Sequence, residues 1–228
     1  MSEASKRGIS PRFNLTESVG NSAADLERFE MPQAAEAARR LAEEIHNDDL
    51  TGLLNKKTWR GKLEEALRQK GDRAVLFIDL TNFKRINDES PERHEAGDQV
   101  LRKVASVLRK SFRLSVSDEL AHERRYHMNG EAGRIGGDEF AVLLDLTPRS
   151  EEWAGKEPAE RMQVVIDRLQ EDFASLKSEN PLLVQYNFDV AVGGAVWEEG
   201  MDASTLLQNA DHAMYQNKSV QHEAGKYR

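Results

Sequence analysis

The stretch Arg134-Ile135-Gly136-Gly137-Asp138-Glu139-Phe140 is followed directly by the apolar run Ala141-Val142-Leu143-Leu144. Glycine permits backbone angles and close approaches that a Cβ would forbid, so the stretch predicts a β-hairpin with Asp138 and Glu139 at its tip. Two carboxylates beside a bare backbone suit a divalent cation and a polyphosphate, because hard cations prefer carboxylate oxygen. An ordinary solvated turn is the alternative, since short clusters of glycine and acidic residues occur in many turns.

A second candidate acid, Asp79, lies upstream of this hairpin. Residues 73–80 (RAVLFIDL) are nearly all apolar and predict a strand buried on both faces, with Asp79 near its C-terminal end. Burying a lone carboxylate costs several kcal/mol unless it is paired or bound to a metal. Asp79 is therefore a candidate site residue, and capping of the next helix is the alternative. If this strand lies beside the hairpin, Asp79 and Asp138 converge and can hold one or two Mg²⁺ ions.

The residues that follow Asp79 indicate a nucleotide. Residues 83–87 begin a predicted short helix, and helix N-termini bind phosphate, so the amides near Phe83 and Lys84 would hold phosphates. Asn87 and Asp98 could contact the edge of the base. A carboxylate accepts hydrogen bonds from the N1–H and the exocyclic amine of guanine, whereas adenine has no matching donor pair. The sequence therefore favours a guanine nucleotide.

Composition excludes several classes of protein. The 228 residues carry a net charge of -8, which argues against non-specific nucleic-acid binding, since that usually needs a basic surface. The absence of cysteine excludes disulfides and cysteine-ligated zinc and fits a reducing compartment. No apolar run approaches the ~20 residues of a membrane span, and the first residues lack the apolar segment of a secretory signal. We therefore expect a soluble, cytoplasmic protein.

Periodicity divides the chain into a lead segment and one domain. Residues 1–46 are predicted to form a flexible lead and an N-terminal amphipathic helix over 33–46. That helix either lies on its own domain or pairs two copies as a coiled coil. Residues 47–228 mix helices and strands, which predicts one α+β domain with helices over a mainly antiparallel sheet.

The same patterns place the other elements of this domain. Further helices are expected over residues 58–69, 97–112, 157–177 and 201–218, and a long strand over 184–197. Residues 113–133 have no convincing period and predict an insertion leading into the first arm of the hairpin. Their basic side chains belong either to a ligand site or to a solvated loop.

The acidic hairpin, the strand with Asp79 and three further motifs resemble the GGDEF family of diguanylate cyclases. The resemblance covers residues 47–228 and rests on five ordered motifs: residues 48–55 (DDLTGLLN), 79–88 (DLTNFKRIND), 94–101 (HEAGDQVL), 136–140 (GGDEF) and 210–218 (ADHAMYQNK). It implies a palm fold like that of nucleotidyl cyclases, with a central sheet flanked by helices. It also implies condensation of two GTP into cyclic di-GMP and two pyrophosphates at a homodimer interface. Mg²⁺, or Mn²⁺ in its place, would be the cofactor, with one or two ions per site.

The resemblance carries roles to individual positions. It implies that Asp79 and Asp138 bind the metal through carboxylates, that Leu80 binds it through its carbonyl, and that Glu139 acts at the reacting 3′-hydroxyl. It implies guanine binding by Asn87 and Asp98, and phosphate binding by Asn82, Phe83, Lys84 and Lys218. Leu101, Gly136, Gly137 and Lys226 complete the substrate-binding set. Arg134 and Asp48 are expected to pair and brace the hairpin.

Several positions depart from the family pattern. Thr81 replaces the second Asp of the D-x-D motif, and two extra residues separate Asn87 from Asp98. The R-x-x-D motif of product inhibition is absent, since residues 127–130 read HMNG, so feedback through that site is not expected. The segment after Lys218 is stretched, so the family's phosphate-binding arginine is either replaced by Lys226 or missing, and a lysine cannot offer a bidentate fork.

These departures keep other functions open. One is a weak or inactive domain that acts as a GTP-binding or protein-interaction module. Another is an enzyme that makes a different cyclic dinucleotide, or a metal-dependent nucleotidyltransferase on a similar sheet. The intact acids Asp79, Asp138 and Glu139 favour the cyclase, since a domain that only binds has less need of all three.

Overall fold

A computed structural model of the chain describes residues 34, 36, 37, 45–113, 128–148 and 150–223. For residues 113, 128, 129 and 220–223 the description covers the backbone alone. Described residues up to His46 are helical and belong to one unit, and residues from Asn47 onward belong to a second. Most of the predicted helix over 33–46, residues 114–127 of the predicted insertion, and Lys226 lie outside the described residues.

The second unit alternates strands and helices. The strands are β1 (Leu54–Asn55), β2 (Arg73–Thr81), β3 (Phe112–Arg113), β4 (Met128–Arg134), β5 (Glu139–Asp145) and β6 (Asp189–Val196). The helices are α1 (Lys56–Ala66), α2 (Phe83–Glu89), α3 (His94–Ser111), α4 (Glu151–Ala154), α5 (Pro158–Ser178), α6 (Pro181–Gln185) and α7 (Ala203–Glu223).

The strands form one sheet in the order β1-β4-β5-β2-β6, and β3 pairs with β4 beside this path. β2 is an interior strand of the sheet, since it pairs antiparallel with both β5 and β6. β4 and β5 are the antiparallel arms of the predicted hairpin, whereas the short β1 and β3 pair parallel to β4. The predicted α+β architecture with a mainly antiparallel sheet is confirmed.

Helices cover both faces of the sheet. Successive side chains of a strand point to opposite faces, and β2 follows this rule with apolar residues on each side. Leu76, Ile78 and Leu80 belong to the core under α3 and α5. Val75 and Phe77 belong to a second core under α1 and α7. Each such buried side chain contributes about 1.5–3 kcal/mol of transfer free energy, which explains the near-continuous apolar run of this strand. By the same alternation Asp79 faces the α7 side.

Local capping fixes where helices begin. The Asn55 side chain accepts a hydrogen bond from Thr58 N at 3.0 Å, so α1 begins at Lys56 rather than at the predicted residue 58. Helix α5 begins at Pro158 behind a reciprocal capping box between Glu157 and Glu160, close to the predicted start at residue 157.

The predicted long strand over residues 184–197 is wrong in its first part. Pro181 opens the short helix α6, and the Asn180 side chain caps it by accepting from Leu182 N at 3.1 Å. Asn187 then adopts a φ of 48°, which turns the chain into β6 at Asp189. The alternation of apolar residues was interpreted as a strand, but Leu183 and Tyr186 are three residues apart and are buried together on one face of a helical turn.

Two other predicted boundaries also differ. Helix α3 begins at His94, before the predicted start at Gly97, since Gly97 N already donates a helical hydrogen bond to Arg93 O at 3.2 Å. Asp98 therefore lies within the helix and not at its first residue. Helix α7 continues to Glu223, beyond the predicted end at Lys218.

Candidate active site

The register of β2 against β5 brings the two predicted acidic sites together. Asp79 of β2 pairs directly with Glu139, the first residue of β5, and Asp138 immediately precedes that residue. Burial raises the pKa of Asp138, and the charge of the neighbouring Asp79 raises it further. The strand that carries Asp79 thus lies beside the hairpin, which is the condition under which the two acids were expected to converge.

An arginine braces the tip of the hairpin. Arg134 Nη2 donates to Gly137 O at 2.7 Å, and Arg134 Nη1 lies 3.3 Å from both carboxylate oxygens of Asp48. Asp48 also accepts from Thr51 N at 2.9 Å and Thr51 Oγ1 at 2.6 Å. Burial acts to raise the pKa of Asp48, but these hydrogen bonds and the charge of Arg134 hold that pKa below its ordinary value. The pair of Asp48 and Arg134 is therefore present as predicted.

The two glycines of the tip serve different purposes. A Cβ on Gly136 would lie 2.2 Å from Glu139 Oε2, so the absence of a side chain leaves the space that the Glu139 carboxylate occupies. A Cβ on Gly137 would meet nothing within 4 Å. Gly136 thus positions an acid, whereas Gly137 borders open space beside Asp138 that a ligand could enter.

Glu139 lies among several charges. Burial raises the pKa of Glu139, and Asp138, Asp79 and then Asp211 raise it further, while Lys56 lowers it. Neither Asp211 nor Lys56 was among the residues predicted for the site. The signal for Asp211 was its place in the motif over residues 210–218, whereas nothing in the sequence distinguished Lys56 from other surface lysines.

Lys218 of α7 forms an ion pair with the candidate metal ligand. Its Nζ lies 2.5 Å from Asp79 Oδ1, and both side chains are partly buried. The helix is held close to β6 because Asn217 Nδ2 donates to Val192 O at 2.9 Å. Gly193 permits this approach, since a Cβ there would lie 2.0 Å from Met214 N. The resemblance assigned Lys218 to a triphosphate, and the structure places its ammonium on Asp79.

The predicted phosphate loop follows β2 directly. Asn82 has a φ of 64°, in the left-handed region that asparagine tolerates better than most residues, and α2 begins at Phe83. Asn82 Nδ2 donates to Asn187 O at 2.8 Å, which ties the loop to the turn before β6. Phe83 is buried and the Lys84 side chain is exposed. Thr81 is buried, and its hydroxyl has no hydrogen-bond partner within the described part of the chain.

The predicted guanine-binding residues lie between α2 and α3. A Cβ on Gly97 would lie 1.9 Å from Asn87 Oδ1, so the Asn87 side chain occupies the space over this glycine. Asp98 is the next residue and is half-buried, and Leu101 is buried one turn further along α3. Asn87, Asp98 and Leu101 thus lie close together, despite the two extra residues in the preceding loop.

The acids fit a hard divalent cation of the Mg²⁺ type. Asp79 and Asp138 supply two carboxylates, and the ammonium of Lys218 already takes a cation's place on Asp79. Across the residues that the structure describes, no group of three or more His, Cys, Asp or Glu side chains is arranged to hold a metal. A cation here would therefore use one or two protein carboxylates with other oxygens, which is usual for Mg²⁺. Leu80, predicted as a carbonyl ligand, buries its side chain on the opposite face of β2.

The chain resembles known proteins over most of its length. The family model described as "Diguanylate cyclase, GGDEF domain" matches residues 45–224. The chain is 35% identical over 180 residues to the diguanylate cyclase TpbB of Pseudomonas aeruginosa, an alignment that covers 77% of this chain and 35% of TpbB. It therefore spans about a third of the length of that relative.

Two solved structures from Caulobacter crescentus share the fold. The coiled coil and GGDEF domain of DgcB, in complex with c-di-GMP, aligns with a TM-score of 0.61 at 23% identity and covers 90% of this chain and 94% of that one. A sensory box/GGDEF family protein aligns with a TM-score of 0.56 at 28% identity and covers 77% of this chain and 99% of that one.

No helix in the described ranges has the length and apolar character needed to cross a membrane.

Fold and site together define an α+β domain with paired acids on a Gly-Gly-Asp-Glu-Phe hairpin. The chain belongs to the GGDEF diguanylate cyclase family.

Proposed function

We propose that this chain is a Mg²⁺-dependent diguanylate cyclase, which condenses two GTP into cyclic di-GMP and two pyrophosphates at the interface of a homodimer. The observation that carries the proposal is the register that sets Asp79 opposite Glu139 and beside Asp138. The names of the relatives, TpbB among them, support the same activity. The chain's own residues account for each part of the reaction in turn.

The reaction forms two phosphodiester bonds. In each half, a 3′-hydroxyl oxygen bonds to the α-phosphorus of the other GTP, and the bond from that phosphorus to the β-phosphate oxygen breaks. The leaving group is pyrophosphate, and the proton of the hydroxyl passes to the carboxylate of Glu139. Burial and the neighbouring acids raise the pKa of Glu139, which makes it a stronger proton acceptor than an exposed glutamate. Gly136 keeps this carboxylate in place.

Binding residues would hold each substrate at both ends. Asn87 and Asp98 would bind guanine between α2 and α3, and the amides at the start of α2 would bind phosphates. Asp79 and Asp138 would hold the cation, and Lys218 would contribute to binding of the triphosphate. A bound Mg²⁺ supplies Lewis acidity, which lowers the pKa of the attacking hydroxyl and neutralises charge on the leaving pyrophosphate.

A homodimer follows from the symmetry of the product. The described chain presents a single set of Asp79, Asp138 and Glu139, whereas cyclic di-GMP needs two equivalent attacks. Two copies related by a twofold axis would present two GTP molecules head to tail, which turns an encounter of two substrates into a reaction between positioned groups.

The experiment is product analysis of variants at the acids. Wild-type protein incubated with GTP and Mg²⁺ should yield cyclic di-GMP and pyrophosphate on chromatography. D138N and E139Q keep size and fold but remove one charge each, and they should lower turnover by about a hundredfold or more. Near-normal turnover in D138N would refute the metal role of this carboxylate.

Two observations favour a second function, a GTP-binding module without turnover. The Lys218 ammonium occupies Asp79, and the segment after Lys218 departs from the family pattern. In such a module GTP would bind to the protein, yet no cyclic di-GMP would form even when a fused dimerisation segment pairs two copies. The cyclase remains the function that the full set of acids supports best.

A further inference from the structure

The ion pair between Lys218 and Asp79 points to a role for Lys218 beyond holding a triphosphate. Lys218 Nζ donates a direct, charge-assisted hydrogen bond to Asp79 Oδ1. The two side chains are 29% and 17% exposed, so water screens the pair only partly. An ammonium in this position competes with a divalent cation for the Asp79 carboxylate.

The placement of this ammonium is fixed by packing rather than by a flexible surface chain alone. Helix α7 is anchored on β6 by the hydrogen bond from Asn217, the residue before Lys218, to Val192 O. Gly193 lets the helix backbone approach the strand. On the neighbouring strand β2, Asp79 pairs with Ala191 of β6. The fold therefore holds the base of the Lys218 side chain over Asp79.

Electrostatics explains why a cation is retained there. The strand register sets Asp79 opposite Glu139 and beside Asp138, so the three carboxylates repel one another when ionised. The positive charge of Lys218 on Asp79 offsets part of this repulsion. An ammonium on Asp79 thus relieves the repulsion in a site that holds no divalent cation.

A divalent cation and the ammonium compete for the Asp79 carboxylate, because their like charges repel at this distance. A bound triphosphate offers the ammonium another set of anionic oxygens. Any ligand that draws Lys218 away from Asp79 raises the affinity of Asp79 for a divalent cation. By thermodynamic linkage, a cation that displaces Lys218 raises the affinity for the triphosphate by the same factor.

We propose that Lys218 serves as a built-in counter-ion of Asp79, and that the transfer of its ammonium to the triphosphate couples divalent-cation binding to nucleotide binding. The nucleotide-free protein then binds cations weakly, and the site is completed only when both ligands arrive. This inference rests on the metal and nucleotide roles proposed above, and it assigns Lys218 a positioning role in addition to phosphate binding.

The test is a titration of nucleotide-free protein with Mn²⁺ alone, in which electron paramagnetic resonance measures the concentration of free Mn²⁺. Replacing Lys218 by methionine keeps the length of the side chain and frees Asp79. We expect K218M to bind Mn²⁺ roughly tenfold more tightly than wild type, a typical size for coupling between two ligands. Adding D79N to K218M should remove this gain, because the vacated carboxylate is then lost.

Lys56 provides the matched control. Its charge acts on Glu139 in the same cluster, whereas Lys218 contacts Asp79 directly. K56M removes the same single charge and should change the Mn²⁺ affinity by less than about threefold. A K218M protein that binds Mn²⁺ no more tightly than K56M would overturn the inference, as would a gain that persists when D79N is added.

The coupling itself is tested with 3′-deoxy-GTP, which lacks the attacking hydroxyl and cannot be cyclised. In the presence of saturating analogue, the difference in Mn²⁺ affinity between wild type and K218M should largely disappear, and an unchanged difference would contradict the coupling. These readouts are separate from turnover. A protein that makes no cyclic di-GMP but shows the K218M effect would refute the cyclase and leave this inference intact. An active cyclase without the effect would refute the inference alone.

Discussion

Gly97 of α3 gives the Asn87 side chain of α2 its position, since a Cβ on this glycine would lie 1.9 Å from Asn87 Oδ1. The contact sits beside Asp98, the other residue proposed to bind guanine. In this account the glycine of the motif over residues 94–101 is a packing requirement of the base pocket rather than a helix-breaking residue.

The first prediction concerns this contact. G97A should displace Asn87 and raise the KM for GTP about tenfold or more, because the base loses a positioned hydrogen-bonding partner. The measurement is steady-state kinetics of pyrophosphate release. G61A is the control, since Gly61 lies within α1 and a Cβ there meets nothing within 4 Å. It should raise stability by about 0.5–1 kcal/mol through helix propensity and leave the KM unchanged. Equal KM values for G97A and wild type would contradict the proposed role of Asn87.

The second prediction separates the two glycines of the hairpin. A Cβ on Gly136 competes for space with the Glu139 carboxylate, which is flexible enough to move away. G136A should therefore lower kcat about tenfold to a hundredfold by displacing the proton acceptor. The loss in free energy of unfolding should be at most about 3 kcal/mol. Kinetics and thermal unfolding measure the two effects separately.

G137A provides the contrast in stability, because its Cβ would enter open space. Its thermal unfolding midpoint should equal that of wild type. A G136A protein with a normal kcat would show that the Glu139 carboxylate does not need its observed position.

The third prediction follows from the raised pKa of Asp138. Burial and the charge of Asp79 raise this pKa, so ionised Asp138 disfavours the folded state at neutral pH. The cost is fully present above the folded-state pKa and disappears below the ordinary value of an aspartate, where the group is protonated in both states. D138N should therefore unfold at a higher temperature than wild type at pH 7, with no gain near pH 3, although it loses activity. Thermal unfolding across this pH range is the measurement, and a midpoint lowered at pH 7 would contradict the electrostatic account.

The fourth prediction has the opposite sign and concerns Asp48. Despite the opposing effect of burial, hydrogen bonds from Thr51 and Arg134 hold its pKa below the ordinary value. Its contribution to stability is present above that ordinary value, about 3.9, and is lost as the pH falls through the lower folded-state pKa. D48N should cost about 1 kcal/mol at pH 7, a modest value because the pair is partly exposed, and the cost should shrink towards pH 3. Urea unfolding at several pH values tests this, and a cost independent of pH would contradict it.

Much of the fold could be predicted because its signals are local. The apolar run of β2 and the glycines between β4 and β5 specify their strands directly, and Asp79 and Asp138 followed as candidate residues from their positions at strand ends. The first part of the predicted strand over 184–197 failed because Asn180 and Pro181 supply a helix start that outweighs an alternating pattern.

Other features depend on contacts distant in sequence. The ion pair between Lys218 and Asp79 joins residues that β6 and α7 bring together, and no local sequence pattern predicts it. The contribution of Asp211 to the charge around Glu139 has the same origin, since it arises from the packing of α7 over the sheet. Gly97 was visible in its motif, but its contact with Asn87 required the structure.

The central claim is that two copies of this site, each with one GTP, make cyclic di-GMP together. The most direct test is the rate of cyclic di-GMP formation from GTP and Mg²⁺ at a series of protein concentrations, with the nucleotides separated by chromatography. We expect a rate that rises more steeply than linearly with protein concentration until the dimer saturates, and that falls to background in D138N. Absence of cyclic di-GMP at every concentration, even with an N-terminal dimerising fusion, would contradict it.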